Sequence, residues 1–203
     1  MTDTTFKYYI IYKPFGMLSQ FSKEEEGNVT LADLKMTFDK DIYPVGRLDK
    51  DSEGLLILTN DKKLTDALLN PNYKHWRSYW VQVEKIPTEN AIQRLNQGTL
   101  IKLKKRSYKT QPAKVALLAT PPKLPQRNPP IRFRKEIPTA WLQVSLTEGK
   151  NRQVRRMTAS VGFPTLRLVR HQIVDLTIGS MIPGQIKRLE KAAIYKLLDL
   201  NKV

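Results

Sequence analysis

Residues 46–56 have the sequence GRLDKDSEGLL, a dense run of charged side chains between two apolar segments. The aliphatic and aromatic residues at 43–48 and 55–59 predict buried strands, so the chain must turn sharply between them. Gly46 and Gly54, at the two ends, permit backbone geometry or a close approach that a Cβ would block. A charged turn held between buried strands is rigid enough to carry a functional site, although a solvated turn has the same composition.

Strands and helices alternate on both sides of this turn, without a fixed repeat period. Alternating or β-branched residues predict further strands at residues 6–12, 78–85, 114–119, 141–146, 166–169 and 173–177. Helical spacing and capping residues predict helices at residues 30–35, 61–69, 88–96, 151–161 and 191–200. Asp61 and Thr88 are the expected N-caps, and the proline-rich residues 120–130 predict a long loop. This order favours an α+β fold with a mixed, largely antiparallel sheet; a doubly wound fold fits less well because no glycine-rich phosphate loop follows a strand.

The chain is strongly basic. Its 203 residues include 35 Lys and Arg against 19 Asp and Glu, for a formal net charge of +16 at pH 7. Such a surface attracts polyanions, above all the phosphate backbone of nucleic acid, although a merely basic soluble protein has the same balance. No segment approaches the length of about 20 apolar residues that a membrane span requires. The N-terminus lacks the basic and apolar regions of a secretory signal, which predicts a cytoplasmic protein.

The residue types that usually bind metals are scarce. The sequence has no Cys and only two His, which excludes disulfides, thiolate nucleophiles, zinc ribbons and a histidine-rich metal site. His75 and His171 are expected to be ordinary surface or core residues. The sequence therefore predicts no metal site.

A second concentration of charge lies in EGKNRQVRRM, residues 148–157, where a predicted strand ends and a helix begins. Arg152, Arg155 and Arg156 stand at i, i+3 and i+4, so on a continuous helix they share one face, while the apolar residues point toward a core. Together with Lys150 this face predicts contact with phosphate. The alternative is a surface helix held by salt bridges.

Four elements occur in order along the chain: KPFG at 13–16, GRLD at 46–49 followed by SEGLL at 52–56, YWVQV at 79–83, and EGKNRQVRRM at 148–157 with Gly162 and Pro164. Together they resemble the motifs of the RsuA/RluE-type pseudouridine synthases, and the resemblance covers nearly the whole chain. GRLD alone would be weak evidence, whereas four elements in order at compatible spacing are specific.

The resemblance implies the fold and the substrate. The fold is the pseudouridine synthase catalytic fold, in which helices flank the sheet and two subdomains surround a central cleft. Residues 1–203 are expected to form a single catalytic domain, because the first motif begins too early to leave room for the N-terminal S4-type RNA-binding domain of many relatives. That places the chain in the compact branch that acts on large-subunit (23S) ribosomal RNA, as free RNA or in an assembling subunit. A monomer is the default expectation.

The resemblance also implies the chemistry: the enzyme breaks the N-glycosidic bond of a uridine, rotates the uracil and rejoins it through carbon, without a cofactor or metal. Asp49 is the catalytic carboxylate, either a nucleophile or a base. Lys150 matches the basic position that pairs with this aspartate, and Arg152 is the alternative. Tyr79 stacks on the target uracil, and its hydroxyl assists proton transfer. Arg47 enters the space that the flipped-out base leaves.

The remaining candidates are assigned to RNA contact. Gln153, Arg155 and Arg156 are expected to touch RNA or to support the site. A basic run has two interpretations, a strand that contacts the RNA backbone or a merely solvated one: Lys102, Lys104, Lys105, Arg106 and Lys109. A non-catalytic RNA-binding or ribosome-assembly protein would share the charge but has no need for the trio Asp49, Tyr79 and Lys150. An aspartate-dependent glycoside hydrolase fits less well, because such enzymes usually need two carboxylates flanking the bond.

Overall fold

A computed structural model describes residues 6–104, 106–131 and 136–200 of the chain. The strands are β1 Tyr8–Lys13, β2 Tyr43–Pro44, β3 Glu53–Thr59, β4 Arg77–Glu84, β5 Leu100–Leu103, β6 Arg106–Lys109, β7 Lys114–Leu117, β8 Thr139–Leu146, β9 Thr165–Ile173, β10 Leu176–Thr177 and β11 Ile186–Leu189. The helices are α1 Lys62–Leu69, α2 Glu89–Asn96, α3 Gln153–Ser160 and α4 Lys191–Leu197, with short 3-10 turns at Leu31–Asp33 and Pro71–Tyr73. Contacts divide the chain into two compact units: unit 1 is Met1–His75 with His171–Val203, and unit 2 is Trp76–Arg170.

Unit 1 is built on two fully buried strands. β1 pairs antiparallel with β3 on one side and with β11 on the other, and the short β2 pairs with β3. Every residue of β1 and β3 is buried, as expected of strands that are covered on both faces. One of these faces packs into a core cluster with residues from the loops: Tyr9, Ile11, Met17, Leu31, Ile42, Leu56 and Leu58. The charged turn at 46–54 joins the short, partly exposed β2 to β3, so it is anchored at one end on a fully buried strand.

Asp61 connects three elements of unit 1. Its carboxylate caps α1 by accepting hydrogen bonds from the backbone N–H of Lys63 (3.0 Å) and Leu64 (3.3 Å). The same side chain accepts from the hydroxyl of Tyr8 on β1 at 2.8 Å and from that of Tyr195 on α4 at 2.6 Å. Burial alone would raise the pKa of Asp61, but the tyrosine and backbone hydrogen bonds outweigh it and hold this pKa below its ordinary value.

We expect Asp61→Asn to lower the free energy of unfolding by about 2 kcal/mol at pH 7, because it weakens a helix cap and two charge-assisted hydrogen bonds. Since the folded-state pKa of Asp61 lies below the unfolded value, this stabilisation is present above the unfolded pKa and is lost as pH falls through the folded pKa. Urea unfolding of both proteins at neutral and acidic pH measures it. Asp66→Asn, at an exposed position of the same helix, is the control; a difference that does not shrink at low pH would contradict this account.

Unit 2 contains a second antiparallel arrangement. β8 pairs with β4 on one side and with β7 on the other, and β9 is the other neighbour of β4. β5 and β6 form a separate two-stranded hairpin, and α3 packs beside β5. The core of the unit collects the inward residues of these elements: Val81, Val83, Leu95, Ile101, Val115, Leu142, Val144, Leu146, Val154, Met157 and Leu168.

The predicted α+β class and the largely antiparallel pairing are confirmed. The strand predicted at residues 43–48 is shorter, because Gly46 turns the chain away with φ +70° after the two paired residues of β2. The helix predicted at 151–161 begins only at Gln153, since Arg152 adopts a left-handed backbone with φ 52°. The hairpin β5–β6 and the strand β11 were not predicted. Within the described residues, no helix is long and apolar enough to cross a membrane.

Candidate active site

The candidate residues divide between the two units. Asp49 and Arg47 belong to unit 1, whereas Tyr79 and the basic segment at 148–157 belong to unit 2.

Asp49 lies in the turn that precedes β3, and its side chain is half-buried. Its backbone carbonyl accepts a hydrogen bond from Ser52 N at 3.0 Å, which closes the turn. No donor among the described residues of unit 1 bonds to the Asp49 carboxylate. The turn therefore fixes the backbone of Asp49 without engaging its carboxylate within this unit.

Ser19 clamps the residue before Asp49. Its buried hydroxyl donates to the carbonyl of Leu48 at 2.9 Å and accepts from the N–H of Leu48 at 3.0 Å. The neighbouring Gly16 N–H donates to the carbonyl of Lys50 at 2.8 Å. The segment that follows β1 thus holds the backbone on both sides of Asp49. The sequence offers no signal for Ser19 beyond its place three residues after the KPFG element.

Lys13 stabilises the KPFG element, residues 13–16, in the conformation that contacts the turn around Asp49. Its side chain is fully buried, and the ammonium donates to the carbonyls of Pro14 at 2.9 Å and Met17 at 2.7 Å. A buried ammonium is costly unless such acceptors surround it. Lys13 therefore folds the segment back on itself, which brings Gly16 to the carbonyl of Lys50.

Arg47 is exposed. The glycine before it, Gly46, has φ +70°, and a Cβ there would approach Cδ2 of Leu69 to 3.1 Å. This backbone conformation favours glycine. Arg47 is therefore accessible on unit 1, and its contact with RNA stays a prediction.

Tyr79 is half-buried on β4 and packs against the core of unit 2. It forms a side-chain hydrogen bond with Arg170 on the neighbouring strand β9. Burial lowers the pKa of the Arg170 guanidinium, and the contact with Tyr79 opposes that shift. A guanidinium can only donate, so the Tyr79 oxygen is the acceptor and its own hydrogen is left for another partner. Sequence reasoning did not select Arg170, because an arginine in a predicted strand carries no local signal of its partner.

A hydrogen-bonded network orders residues 148–153, here called the Lys150 turn. One oxygen of Glu148 accepts from the hydroxyl of Tyr108 at 2.5 Å, and the other accepts from Gln111 N at 2.8 Å and from Gln153 Nε2 at 2.6 Å. The amide oxygen of Gln153 in turn accepts from Lys150 N at 2.9 Å. Gln153, expected to touch RNA or to support the site, is only 4% exposed, and both ends of its side-chain amide form hydrogen bonds within the turn.

Lys150 itself is exposed, and its Nζ lies 5.1 Å from the centre of the Tyr108 ring. This is within the range of a cation–π contact. The pairing of Lys150 or Arg152 with Asp49 stays a prediction.

The three arginines do not form the continuous helical face that was predicted, because Arg152 precedes α3 with a left-handed backbone. Arg155 donates to the carbonyl of Thr165 at 3.4 Å. Arg156 donates to the carbonyl of Lys102 at 2.5 Å and to that of Asn151 at 3.0 Å. Arg155 and Arg156 are therefore half-buried and bonded within unit 2, whereas Arg152 is exposed.

The predicted basic run lies on the hairpin β5–β6. Lys102 and Lys109 are exposed on its outer face, and Lys104 and Arg106 are exposed near its tip. Lys105 lies outside the described residues. These positive side chains are therefore available to a phosphate backbone.

The two histidines have ordinary structural positions. His75 Nε2 lies 3.0 Å from the carbonyl oxygen of Ala67, within hydrogen-bonding distance. His171 is buried, and burial lowers its pKa to about 4.

Comparison with known proteins identifies the class to which this fold and these motifs belong. A family model described as RNA pseudouridylate synthase matches residues 7–160. A crystal structure of a pseudouridylate synthase shares the fold, with a TM-score of 0.75 and 24% identity, over 95% of this chain and 74% of the other. The chain belongs to the RNA pseudouridylate synthase family and is an isomerase, which confirms the resemblance inferred from the four motifs.

Relatives with more specific names are similar over most of their length. Ribosomal large subunit pseudouridine synthase E of Vibrio parahaemolyticus is 48% identical over 184 residues, which cover 91% of this chain and 74% of the relative. The protein of the same name from Xanthomonas campestris pv. campestris is 48% identical over 177 residues, covering 87% of this chain and 91% of the relative.

The Ser19 clamp gives a prediction for activity. We expect Ser19→Ala to lower kcat by about 10- to 100-fold, because small displacements of a reacting group carry penalties of that size. Unfolding should also become easier, by about 1–3 kcal/mol, since Leu48 N–H and C=O lose their partner in a buried setting. Single-turnover kinetics and urea unfolding measure the two effects. Ser22→Ala, an exposed serine of the same segment, is the control, and full kcat in a destabilised Ser19→Ala protein would reduce the clamp to a purely structural role.

Proposed function

We propose that this pseudouridine synthase isomerises a specific uridine of large-subunit (23S) ribosomal RNA. The observation that carries the proposal is the 48% identity, over 91% of the chain, to a protein named ribosomal large subunit pseudouridine synthase E. The net charge of +16 supports an RNA partner. We further propose that the protein acts as a monomer in the cytoplasm, with residues 1–203 forming one catalytic domain, on free RNA or on an assembling subunit.

Asp49 is the proposed catalytic carboxylate. The reaction breaks the bond between uracil N1 and ribose C1′, forms a bond from C5 to C1′, and moves the C5 proton to N1, so it is redox-neutral and needs no cofactor. A carboxylate can attack C1′ or the ring as a nucleophile, or remove a proton as a base. The half-buried carboxylate, which accepts no hydrogen bond from the part of unit 1 that the structure describes, supports either role.

The other proposed roles follow the motifs. Lys150, or Arg152 in its place, holds the Asp49 charge oriented. Tyr79 stacks on the uracil, and its hydroxyl hydrogen, left available by the Arg170 contact, assists proton transfer. Arg47 fills the space that the flipped-out base leaves in the RNA. Flipping the base out costs a few kcal/mol.

The basic hairpin and the arginines of α3 have different proposed roles. Lys102 and Lys109 are exposed and suit contact with the RNA backbone. Arg155 and Arg156 are bonded within unit 2, which supports a role in holding the phosphate-facing surface in shape. Arg152, which precedes α3, is exposed, unlike Arg155 and Arg156.

Pseudouridine mapping tests the proposal. Unmodified large-subunit ribosomal RNA is incubated with the protein, as free RNA and as precursor particles, and small-subunit and transfer RNA are run in parallel. A new pseudouridine in large-subunit RNA supports the proposal and identifies the nucleotide. Modification of small-subunit or transfer RNA alone would overturn the substrate, and no pseudouridine in any of these RNAs would overturn the function.

A further inference from the structure

We propose that Tyr108 is a positioning residue for the Lys150 turn: its hydroxyl fixes Glu148 and its ring lies against the Lys150 ammonium. The inference rests on the proposed function, in which Lys150 acts in the reaction. Tyr108 lies 40 residues or more from this turn in sequence, on the hairpin β5–β6, and none of the four motifs contains it.

The hydroxyl contact is the shorter of the two. Tyr108 Oη donates to Glu148 Oε2 at 2.5 Å, which also raises the pKa of Tyr108. Glu148 Oε1 is occupied separately by Gln111 N at 2.8 Å and Gln153 Nε2 at 2.6 Å. Hydrogen bonds to an ionised carboxylate are about twice as strong as neutral ones. Tyr108 therefore helps to fix the orientation of a carboxylate on which the rest of the turn depends.

Gln153 links the Glu148 carboxylate to the backbone of Lys150. Its side-chain oxygen accepts from Lys150 N at 2.9 Å, and its own N–H donates to Lys150 O at 3.0 Å. This series of hydrogen bonds runs from Tyr108 through Glu148 and Gln153, and it ends at the backbone N–H and C=O of Lys150. This accounts for the burial of Gln153 at the start of a basic segment.

The ring of Tyr108 restrains the side chain of Lys150. An exposed lysine loses much rotamer freedom when it is ordered, so a lysine that must meet a carboxylate benefits from a preformed contact. Nζ lies 5.1 Å from the ring centre, within the distance of about 6 Å at which a cation is attracted to an aromatic face. One tyrosine therefore acts on both the backbone and the ammonium of Lys150.

The hairpin that carries Tyr108 is itself held in place. Tyr108 is paired with Ile101, which is buried in the core of unit 2. Arg156 donates to the carbonyl of Lys102 on β5 at 2.5 Å. These contacts join the hairpin to the core and to α3, so the ring of Tyr108 is presented from a fixed strand.

Three variants separate the two contacts of Tyr108 from simple packing. Tyr108→Phe removes the hydroxyl and keeps the ring, whereas Tyr108→Leu removes both. Leu103→Ala is the matched control, since Leu103 is a half-buried hairpin residue that packs against the same core. We expect kcat to fall about threefold for Tyr108→Phe and about tenfold for Tyr108→Leu, as the loss of a charge-assisted hydrogen bond and a cation–π contact implies. Leu103→Ala should keep kcat while lowering the melting temperature.

A double-mutant cycle with Lys150→Met tests whether Tyr108 acts through Lys150. In that background Tyr108→Leu should lower kcat by less than about twofold, because coupled residues are non-additive. An undiminished tenfold loss, full kcat in Tyr108→Leu alone, or an equal loss in Leu103→Ala would each overturn the inference.

A second readout does not depend on activity. After ¹³C reductive methylation, the Lys150 signal, assigned with Lys150→Arg, should carry a ring-current shift that disappears in Tyr108→Leu and persists in Leu103→Ala. An unchanged signal in Tyr108→Leu overturns the ring contact even where no rate can be measured. Failure of the wild-type protein to form pseudouridine would instead count against the proposed function, so the two failures are distinguishable.

Discussion

Asp49→Asn is expected to lower kcat for pseudouridine formation by about 10²-fold or more while leaving RNA binding intact. Asparagine keeps the shape of the side chain, and the turn is held by backbone contacts of Leu48, Lys50 and Ser52 that the substitution does not touch. The change therefore removes the charge without removing the structure. Because the Asp49 carboxylate caps no helix and accepts no hydrogen bond among the described residues of unit 1, we expect the melting temperature to change little.

The size of the loss distinguishes the two proposed roles of Asp49. Removal of a nucleophile that acts within a catalytic group lowers kcat by on the order of 10⁶, whereas removal of a general base costs about 10²–10⁴. Single-turnover assays on a short RNA that contains the mapped uridine measure the rate, and Asp49→Ala guards against activity recovered by deamidation of asparagine.

Asp51→Asn is the matched control for Asp49→Asn, since it removes the same charge from the same turn. We expect it to retain kcat within about tenfold, a change of about 1.4 kcal/mol. Equal losses in the two variants would assign the effect to the charge of the turn. Wild-type kcat in Asp49→Asn would exclude Asp49 as the catalytic carboxylate.

Local signals predicted part of this fold well. The helices α1 and α2 begin where Asp61 and Thr88 provide capping side chains, because a cap acts within three residues of itself in sequence. The turn around Asp49 was also predicted, since the buried strand β3 follows it and Gly46 and Gly54 lie at its ends, although the strand before it is short and partly exposed. Helical periodicity was less reliable at Arg152. The predicted common face of the arginines required a continuous helix, but Arg152 has a left-handed backbone and precedes α3.

The contacts that position the candidate residues were not predictable in the same way. Ser19 bonds to Leu48 across 29 residues, and Tyr108 bonds to Glu148 across 40. Neither partner can be identified from spacing, because tertiary folding alone brings them together. The hairpin β5–β6 was not predicted for a related reason: its basic run indicated either a strand that contacts the RNA backbone or a solvated one, and nothing in the spacing showed that Ile101 is buried in the core. The motifs therefore indicated the candidate residues, and the long-range contacts determine how these residues are held.

Tyr79→Phe is expected to lower kcat by about 10²–10⁴-fold, the range for loss of a positioned acid or base. The hydrogen bond with Arg170 supports this expectation. Since the guanidinium only donates, the phenol oxygen is its acceptor, and the hydroxyl hydrogen must point to another group. In the proposed mechanism that group is the uracil or a water beside it. Phenylalanine keeps the ring for stacking, so the KM for RNA should change little.

Tyr79→Leu completes the test of Tyr79, because it removes the ring as well as the hydroxyl. We expect a loss of kcat as large as in Tyr79→Phe, together with weaker RNA binding by a factor of about 5–150, since stacking of one base on an aromatic ring contributes about 1–3 kcal/mol. Trp80→Leu, on the opposite face of β4, is the packing control. If Tyr79→Phe retains full kcat while Tyr79→Leu loses it, the hydroxyl has no part in proton transfer, and Arg170 then serves only to orient the ring.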